Sequence, residues 1–263
     1  MTTYQVNGIE LCAETYGDPT DPAVLLIHGA GASMIWWDPE LCAMLAARGR
    51  YVIRYDQRDT GRSTSYPLGE PGYAMSDLAA DAAGLLDALG IERAHVVAQS
   101  MSGGTALILG ADHPSRVLSL TFVSTSTGDD SLPPPSIRYL PEPDYNDPSA
   151  VEEYVVRAIE AEAAGHFDEA AARKLVREDM TRARNYQASM TNHFAMNFDA
   201  PAYGELPMPV LVLHGDADPL LPLPHGQAVH DAVPGSRFVV LHGMGHGLSA
   251  PYWKTFVDEV TAS

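Results

Sequence analysis

The stretch His95–Gly104, HVVAQSMSGG, decides the fold. Two valines lead into Ser100, and small residues and a helical run follow at once. Strand, tight turn and helix in this order are typical of a nucleophile elbow, which holds a serine in a strained conformation at the top of a sheet. Ala98 and Ser102 stand where that motif usually has glycine. Taken alone, the stretch also fits a Ser/Gly-rich loop after a buried strand. Ser102 starts the predicted helix, which favours packing or capping over a second nucleophile.

Outside the elbow, apolar strand patterns alternate with amphipathic helical patterns. Residues 23–27 are continuously apolar, as expected of a strand buried on both faces of a sheet. The other strands predicted beside the elbow strand are 4–6, 10–16, 51–55, 117–123, 210–213 and 238–241. The predicted helices of this part begin near residues 38, 76, 105, 224 and 252. This alternation predicts an α/β fold, with a mostly parallel eight-stranded sheet covered by helices on both faces.

The alternation stops after residue 127. Five prolines fall within residues 133–143, which neither a helix nor a central strand accepts. Helical patterns then follow without strands, the first opened by a capping box at Ser149. These predicted helices are 149–164, 168–180 and 184–196. We therefore expect an α/β core formed by 1–127 and 205–263, with a helical cap, 128–204, inserted after the sixth strand.

Composition limits the possible partners. The chain has 263 residues, with 16 Lys and Arg against 34 Asp and Glu, a formal net charge of −18. No basic patch can be assembled on this background, which argues against nucleic acid or an anionic membrane. The start of the chain lacks a signal-peptide pattern and no apolar run approaches about 18 residues, so a cytoplasmic protein is expected. Cys12 and Cys42 have neither metal-ligand nor redox spacing, and no metal or cofactor is expected.

A serine nucleophile needs a general base and a carboxylate that orients the base. In an elbow fold these follow in the order Ser, Asp or Glu, His, in loops after later strands. The loop after strand 210–213 offers Asp216 and Asp218, and the loop after strand 238–241 offers His242 and His246. Asp218 is favoured because it lies deeper in its loop, before a proline. His246 is favoured because it sits between two glycines, whereas His242 directly ends a strand.

Acyl transfer also needs two amide donors for the oxyanion of its intermediate. The amide that follows the nucleophile, at Met101, is one candidate. The turn His28–Gly31 follows the strand 23–27, and its glycines let the backbone turn sharply and expose its amides. This turn supplies the second donor, for which Ala30 is predicted.

These motifs together resemble the α/β-hydrolase superfamily over essentially the whole chain. The matching motifs are His28–Gly31, Asp56–Arg58 with Gly61–Ser63, the elbow at Ser100, Gly215–Asp218 and Gly243–His246. Within the superfamily, the stretches 17–22, 52–63, 94–97 and 219–226 are similar to the anthracycline methylesterases. The resemblance implies Ser100, Asp218 and His246 as a catalytic triad, with Ala30 and Met101 as the oxyanion hole. The elbow glycines are replaced, and the cap matches the family's substrate-contacting cap poorly.

Other residues near these motifs allow two interpretations. Asp56 and Arg58 could be an acid and an oxyanion clamp, but their place in a loop favours structural ion pairing. Trp36 and Trp37 follow the oxyanion loop; one is expected to line the pocket and the other to pack, and the sequence does not say which. With His28 they form the predicted substrate contacts.

The sequence thus predicts a cofactor-independent serine carboxylic-ester hydrolase. Its expected partner is a small molecule, and the resemblance to the methylesterases implies a bulky lipophilic ester such as a polyketide methyl ester or a macrolide lactone. A perhydrolase or a carbon–carbon bond hydrolase with the same triad, and a binding protein that lost turnover, are the alternatives. The oligomeric state is left open.

Overall fold

The computed structural model describes residues 1–262, which form one eight-stranded sheet flanked by helices. The strands are β1 (Thr2–Val6), β2 (Ile9–Tyr16), β3 (Ala23–Ile27), β4 (Tyr51–Tyr55), β5 (Ala94–Gln99), β6 (Val117–Val123), β7 (Val210–Gly215) and β8 (Arg237–Leu241). The α-helices are α1 (Pro39–Ala46), α2 (Met75–Ala88), α3 (Ser102–Asp112), α4 (Pro148–Glu162), α5 (Glu169–Arg182), α6 (Tyr186–Ala195), α7 (Pro224–Ala232) and α8 (Trp253–Thr261). None of the helices in this described part is long and apolar enough to cross a membrane.

The strand order is β1-β2-β4-β3-β5-β6-β7-β8. The pairs β1–β2 and β2–β4 are antiparallel, and every pair from β4–β3 to β7–β8 is parallel. The predicted mostly parallel sheet is therefore confirmed. Because the carboxyl ends of parallel strands meet at one edge, the loops after β3, β5, β7 and β8 gather there.

The central strand β3 explains how two core layers form. Leu25 and Ile27 point into a large apolar cluster with α2 and α3, while Val24 and Leu26 point into a second cluster with α1 and α8. Alternate side chains of a strand face opposite sides of the sheet, so a strand covered on both sides must be apolar throughout. All five residues of β3 are buried accordingly.

Residues 128–204, here called the helical insertion, lie between β6 and β7 and contain α4, α5 and α6. The first of these helices begins after Asp147, whose carboxylate accepts the N–H groups of Ser149 and Ala150, and Pro148 occupies its first turn. The prediction of a capping box at Ser149 is wrong. Asp147 takes the N-cap position instead, since it precedes a proline suited to the first helical position.

A buried ion pair joins the insertion to the core. The Arg182 guanidinium of α5 lies 2.9 Å from Asp56, a carboxylate that is fully buried after β4. The same carboxylate accepts the backbone N–H groups of Met34 and Arg62. A buried charge pair needs such additional hydrogen bonds to offset its desolvation. Asp56 therefore has a structural role, in agreement with the interpretation favoured from sequence.

Candidate active site

The elbow serine, Ser100, lies between β5 and α3 with a φ of 53°, in the left-handed region that side chains rarely adopt. Three hydrogen bonds hold this conformation. The Ser100 N–H donates to Val123 O at 2.9 Å, and the Ser100 carbonyl accepts from the Gly103 N–H at 3.0 Å and from Thr125 Oγ1 at 2.7 Å. The backbone strain predicted for a nucleophile elbow is thus present at Ser100 and is supported by its neighbours.

The imidazole of His246 connects the serine to a carboxylate. Its Nε2 lies 3.1 Å from Ser100 Oγ, and its Nδ1 lies 2.9 Å from Asp218 Oδ2. A carboxylate can only accept, so Nδ1 carries the proton and Nε2 is free to accept from the serine hydroxyl. The three residues favoured from sequence are therefore brought together in the order that a Ser–His–Asp triad requires.

Asp218 is itself fixed in place. Its Oδ1 accepts the backbone N–H groups of Leu220 and Leu221, both at 2.9 Å, and its side chain is buried. These two bonds occupy one carboxylate oxygen and leave Oδ2 for His246. The turn after Asp218 thereby orients the carboxylate.

The pKa values of two neighbouring histidines, His246 and His28, are shifted in opposite directions. Burial disfavours the charged form of His246, but the hydrogen bond and charge of Asp218 outweigh it, with a contribution from Glu162, and raise the pKa of His246. Burial, together with the nearby His246, lowers the pKa of His28 to about 3. His28 is consequently neutral at physiological pH, while His246 is able to take a proton during a reaction.

The backbone of His246 is held from two sides by residues that sequence reasoning did not find. Gln99 Nε2 donates to the His246 carbonyl at 3.1 Å, and the His246 N–H donates to the carbonyl of Glu162, the last residue of α4, at 3.0 Å. The neighbouring Gly245 passes so close to Glu162 O that a Cβ there would collide with it. Gln99 directly precedes the serine, which is the one local signal that could have pointed to it.

The rejected candidates form a pair of their own. His242 Nδ1 lies 2.7 Å from Asp216 Oδ2, and the Gly243 N–H also donates to Asp216. This N–H and His242 lower the pKa of Asp216. The His242 side chain is 86% exposed, so this pair lies at the surface, apart from Ser100. The choice of Asp218 and His246 from sequence agrees with this geometry.

The two predicted oxyanion donors belong to Met101, which follows the serine in the chain, and to Ala30 in the turn after β3. A Cβ built on Gly29, the residue before Ala30, would lie 3.6 Å from Ser100 Oγ, so the turn after β3 comes close to this serine. Within residues 1–262, neither the Ala30 nor the Met101 amide has a hydrogen-bond partner in the protein. Both residues are half-buried. Free amides beside a serine hydroxyl are what an oxyanion hole requires.

The two tryptophans, Trp36 and Trp37, lie in different surroundings. Trp37 is 1% exposed and stacks on Phe256 in the apolar core. The prediction that Trp37 contacts substrate is therefore wrong, because its ring is buried by apolar side chains. Trp36 is half-buried, packs against the helical insertion and donates through Nε1 to Asp179 at 2.8 Å. The His28 ring contacts both tryptophans. A substrate contact by Trp36 or His28 stays a prediction.

Arg58 is also structural, as the sequence favoured. Its guanidinium makes a two-pronged contact with Asp81 of α2, at 2.6 and 2.9 Å. Both side chains are buried. Such a bidentate pair fixes the loop after β4 on α2, and Nη1 of the same guanidinium donates to Tyr66 Oη at 3.2 Å.

The fold and this site define an α/β hydrolase, and sequence comparison places the chain in that family. The family model described as "alpha/beta hydrolase fold" matches residues 22–207, and a model described as "TAP-like protein" matches residues 190–262. The chain therefore belongs to the α/β-hydrolase family, and the predicted family and fold are confirmed.

Particular relatives narrow the class further. Rhodomycin D methylesterase DauP of Streptomyces sp. strain C5 is 32% identical over 91% of this chain and 90% of its own length. Rhodomycin D methylesterase DnrP of Streptomyces peucetius is 32% identical over the same shares. The crystal structure of an esterase, RhEst1 of Rhodococcus sp. ECU1013, superposes with a TM-score of 0.77 at 23% identity, over 99% of this chain and 96% of the other. The chain is thus a hydrolase enzyme, and the comparisons support ester hydrolysis as its reaction class.

Proposed function

We propose that this chain is a serine carboxylic-ester hydrolase in which Ser100 is the nucleophile, His246 the general base and Asp218 the residue that orients the base. One observation carries the proposal: the unbroken contact from Ser100 Oγ through both ring nitrogens of His246 to Asp218, with distances of 3.1 and 2.9 Å. Serine is a weak nucleophile at neutral pH, and this arrangement removes its proton as it attacks.

Ser100 Oγ attacks the ester carbonyl and its proton passes to His246 Nε2. The tetrahedral oxyanion accepts from the amides of Ala30 and Met101. The C–O bond to the alcohol breaks, and the alcohol leaves with the proton from His246. Water, deprotonated by the same imidazole, attacks the acyl-enzyme. The ester bond to Ser100 breaks, the acid is released, and Ser100 Oγ takes the proton back from His246. Asp218 keeps Nδ1 protonated throughout.

The substrate we propose is a bulky lipophilic ester, such as a polyketide methyl ester, with a macrolide lactone as the related possibility. The relatives named as rhodomycin D methylesterases support this choice. The helical insertion supports it as well, because half-buried aromatic and thioether side chains pack there, together with Trp36, against one buried apolar cluster. They are Tyr154, Phe167, Met180, Tyr186 and Met190. Apolar surfaces with a few polar groups suit small-molecule binding, and methionine adapts to irregular ligands.

We propose further that the helical insertion is a cap on an α/β core formed by 1–127 and 205–263. Its α4 contacts the His246 loop and its α5 contacts Asp56, so it covers the edge of the sheet where Ser100 lies. Phe194 and Phe198 of the insertion are 68% and 53% exposed and face solvent.

The test combines active-site labelling with a substrate panel. A fluorophosphonate probe should label the wild-type chain at Ser100 and leave Ser100→Ala unlabelled. The panel extends from nitrophenyl acetate to aromatic polyketide methyl esters and macrolide lactones, and kcat/KM should be higher on bulky members, because remote binding energy lowers the barrier only when the substrate fills the site. Highest efficiency on acetate with no turnover of any bulky ester contradicts the substrate proposal. If the chain is neither labelled nor active on any ester, the result supports a binding protein that lost turnover. Analysis of the products shows whether the reaction is instead carbon–carbon cleavage or perhydrolysis.

A further inference from the structure

The turn that carries the predicted oxyanion donor is held at both ends by side chains. The Ala30 N–H belongs to the Gly29–Ala30 peptide unit. The preceding unit includes the His28 carbonyl, and the following unit includes the Gly31 N–H. Each of these flanking groups accepts from or donates to a side chain of a distant element.

On the core side, the His28 carbonyl accepts two hydrogen bonds. Ser102 Oγ donates to it at 2.5 Å and Gln57 Nε2 donates at 2.8 Å. Ser102 and Gln57 are both buried and contact each other at 3.3 Å. Ser102 stands at the second glycine position of the elbow motif, so its hydroxyl is an addition that glycine could not supply. It links the helix after the nucleophile directly to the oxyanion turn.

On the insertion side, His193 of α6 holds the other end. Its Nδ1 lies 3.1 Å from the Gly31 N, which donates to it, and its Nε2 lies 2.8 Å from the Arg58 carbonyl. A carbonyl can only accept, so Nε2 carries the proton and Nδ1 is the acceptor. The side chain is completely buried, and this burial lowers the pKa of His193 and keeps the ring neutral.

We propose that Ser102 and His193 are positioning residues for the oxyanion hole, which together fix the Gly29–Ala30 peptide so that the Ala30 amide serves the intermediate formed at Ser100. The proposal rests on the proposed ester hydrolysis. Peptide units are planar and turn as rigid bodies, and glycines on both sides of Ala30 add backbone freedom. The Gly29–Ala30 unit itself has the long bond of 3.4 Å that the Ala32 N–H donates to the Gly29 carbonyl. With both flanking units fixed, the amide is oriented before the charge develops, which is the condition under which an oxyanion donor is effective.

The two bonds of His193 can be separated by substitution. The Oδ1 of His193→Asn falls near the position of Nδ1 and can accept from the Gly31 N–H, whereas the amide of His193→Gln falls near Nε2 and can donate to Arg58. Loss of an oxyanion donor costs about 10²–10³-fold in kcat, so a misplaced donor in His193→Gln should cost about 10–10²-fold. KM should change little, and His193→Asn should recover most of the loss.

The neighbouring Asn192 provides a matched control. It is also completely buried on α6 and bonds Asp59, Pro67 and Gly69, but it does not touch the oxyanion turn. Asn192→Ala should lower Tm while kcat stays within about twofold of wild type. If Asn192→Ala lowers kcat as much as His193→Gln, or if the Asn and Gln variants of His193 are equally impaired, His193 acts on the fold and the proposal is wrong.

Substitution of Ser102 provides an independent test of the proposal. Ser102→Ala and Ser102→Gly both remove the hydroxyl, and the second restores the glycine that the elbow motif usually has at this position. Both should lower kcat rather than raise KM, and both should weaken inhibition by a trifluoromethyl ketone, whose adduct with serine carries an oxyanion. Unchanged kcat and inhibition in both variants would overturn the role of Ser102. Ester turnover by the wild-type chain distinguishes failure of the proposed function from failure of the positioning proposal. If the wild type hydrolyses no ester, the proposed function is wrong. If it hydrolyses an ester but the variants behave like wild type, only the positioning proposal is wrong.

Discussion

Two aspartate–histidine pairs join the same two loops of this molecule and have almost the same geometry. Asp218 and His246 are 2.9 Å apart, and Asp216 and His242 are 2.7 Å apart. The first pair is buried, whereas His242 is largely exposed. Pair geometry alone therefore says nothing about which of the two belongs to an active site.

The difference lies in the surroundings of each pair. His246 has Ser100 on its free nitrogen, and its backbone is fixed by Gln99 and by the carbonyl of Glu162. Within residues 1–262, the His242 side chain bonds Asp216 but no nucleophile, and Tyr252 donates to the His242 carbonyl. An imidazole becomes a useful base when a nucleophile and a fixed acceptor flank it in a site that excludes water.

Removal of the proposed nucleophile should produce the largest effect. We expect Ser100→Ala to lower kcat by about 10⁴-fold or more, because loss of a triad serine leaves only binding and oxyanion stabilisation. Ester hydrolysis and fluorophosphonate labelling measure it, and circular dichroism checks that the fold is intact. If the probe labelled Ser102 in the Ser100→Ala variant, the assignment of Ser100 as the nucleophile would be wrong.

The two aspartates allow the most direct comparison of the pairs. Asp218→Asn should lower kcat by about 10⁴-fold, since the amide favours the wrong tautomer of His246. Asp216→Asn, a chemically identical change two residues away, is the matched control and should leave kcat within about twofold. Steady-state kinetics on one ester decide the question, and similar losses in the two variants would move the triad acid.

The pH dependence should report His246. Its pKa is raised above the usual 6.5, mainly by Asp218 against the opposing effect of burial. Only the neutral imidazole accepts the serine proton, so kcat/KM should fall about tenfold per pH unit below an inflection that lies above 6.5. The residual activity of Asp218→Asn should have its inflection at lower pH, because the hydrogen bond and charge that raise the pKa are gone. A wild-type rate that is flat down to about pH 4 would exclude a histidine base.

Much of this fold could be predicted from the sequence because apolar periodicity is local. The run Ala23–Ile27 was predicted with its observed bounds, since a strand covered on both faces has to be apolar at every position. Chain order and loop position were also sufficient to select Asp218 and His246. Asp147 was missed as a helix cap because Ser149 offered a competing local signal two residues later.

The contacts around the triad leave no such pattern. His193 bonds Gly31 across 162 residues, and Gln99 bonds the His246 carbonyl across 147. Each is a single side chain donating to or accepting from a backbone group, so neither creates periodicity or motif spacing. Trp36 and Trp37 are adjacent and chemically identical, and only the packing of the helical insertion and of α8 distinguishes them.

The smallest effect is expected at the exposed histidine. His242→Asn should leave kcat/KM within about twofold of wild type at every pH, and the inflection assigned to His246 should not move. The reason is solvent: the His242 side chain is 86% exposed, and at physiological ionic strength charges at the surface are screened beyond about 8 Å. The measurement is a full pH profile of kcat/KM for His242→Asn beside wild type. A shifted inflection would mean that the surface pair is electrostatically coupled to the buried pair through the loops they share. The conclusion that the two pairs act independently would then be wrong.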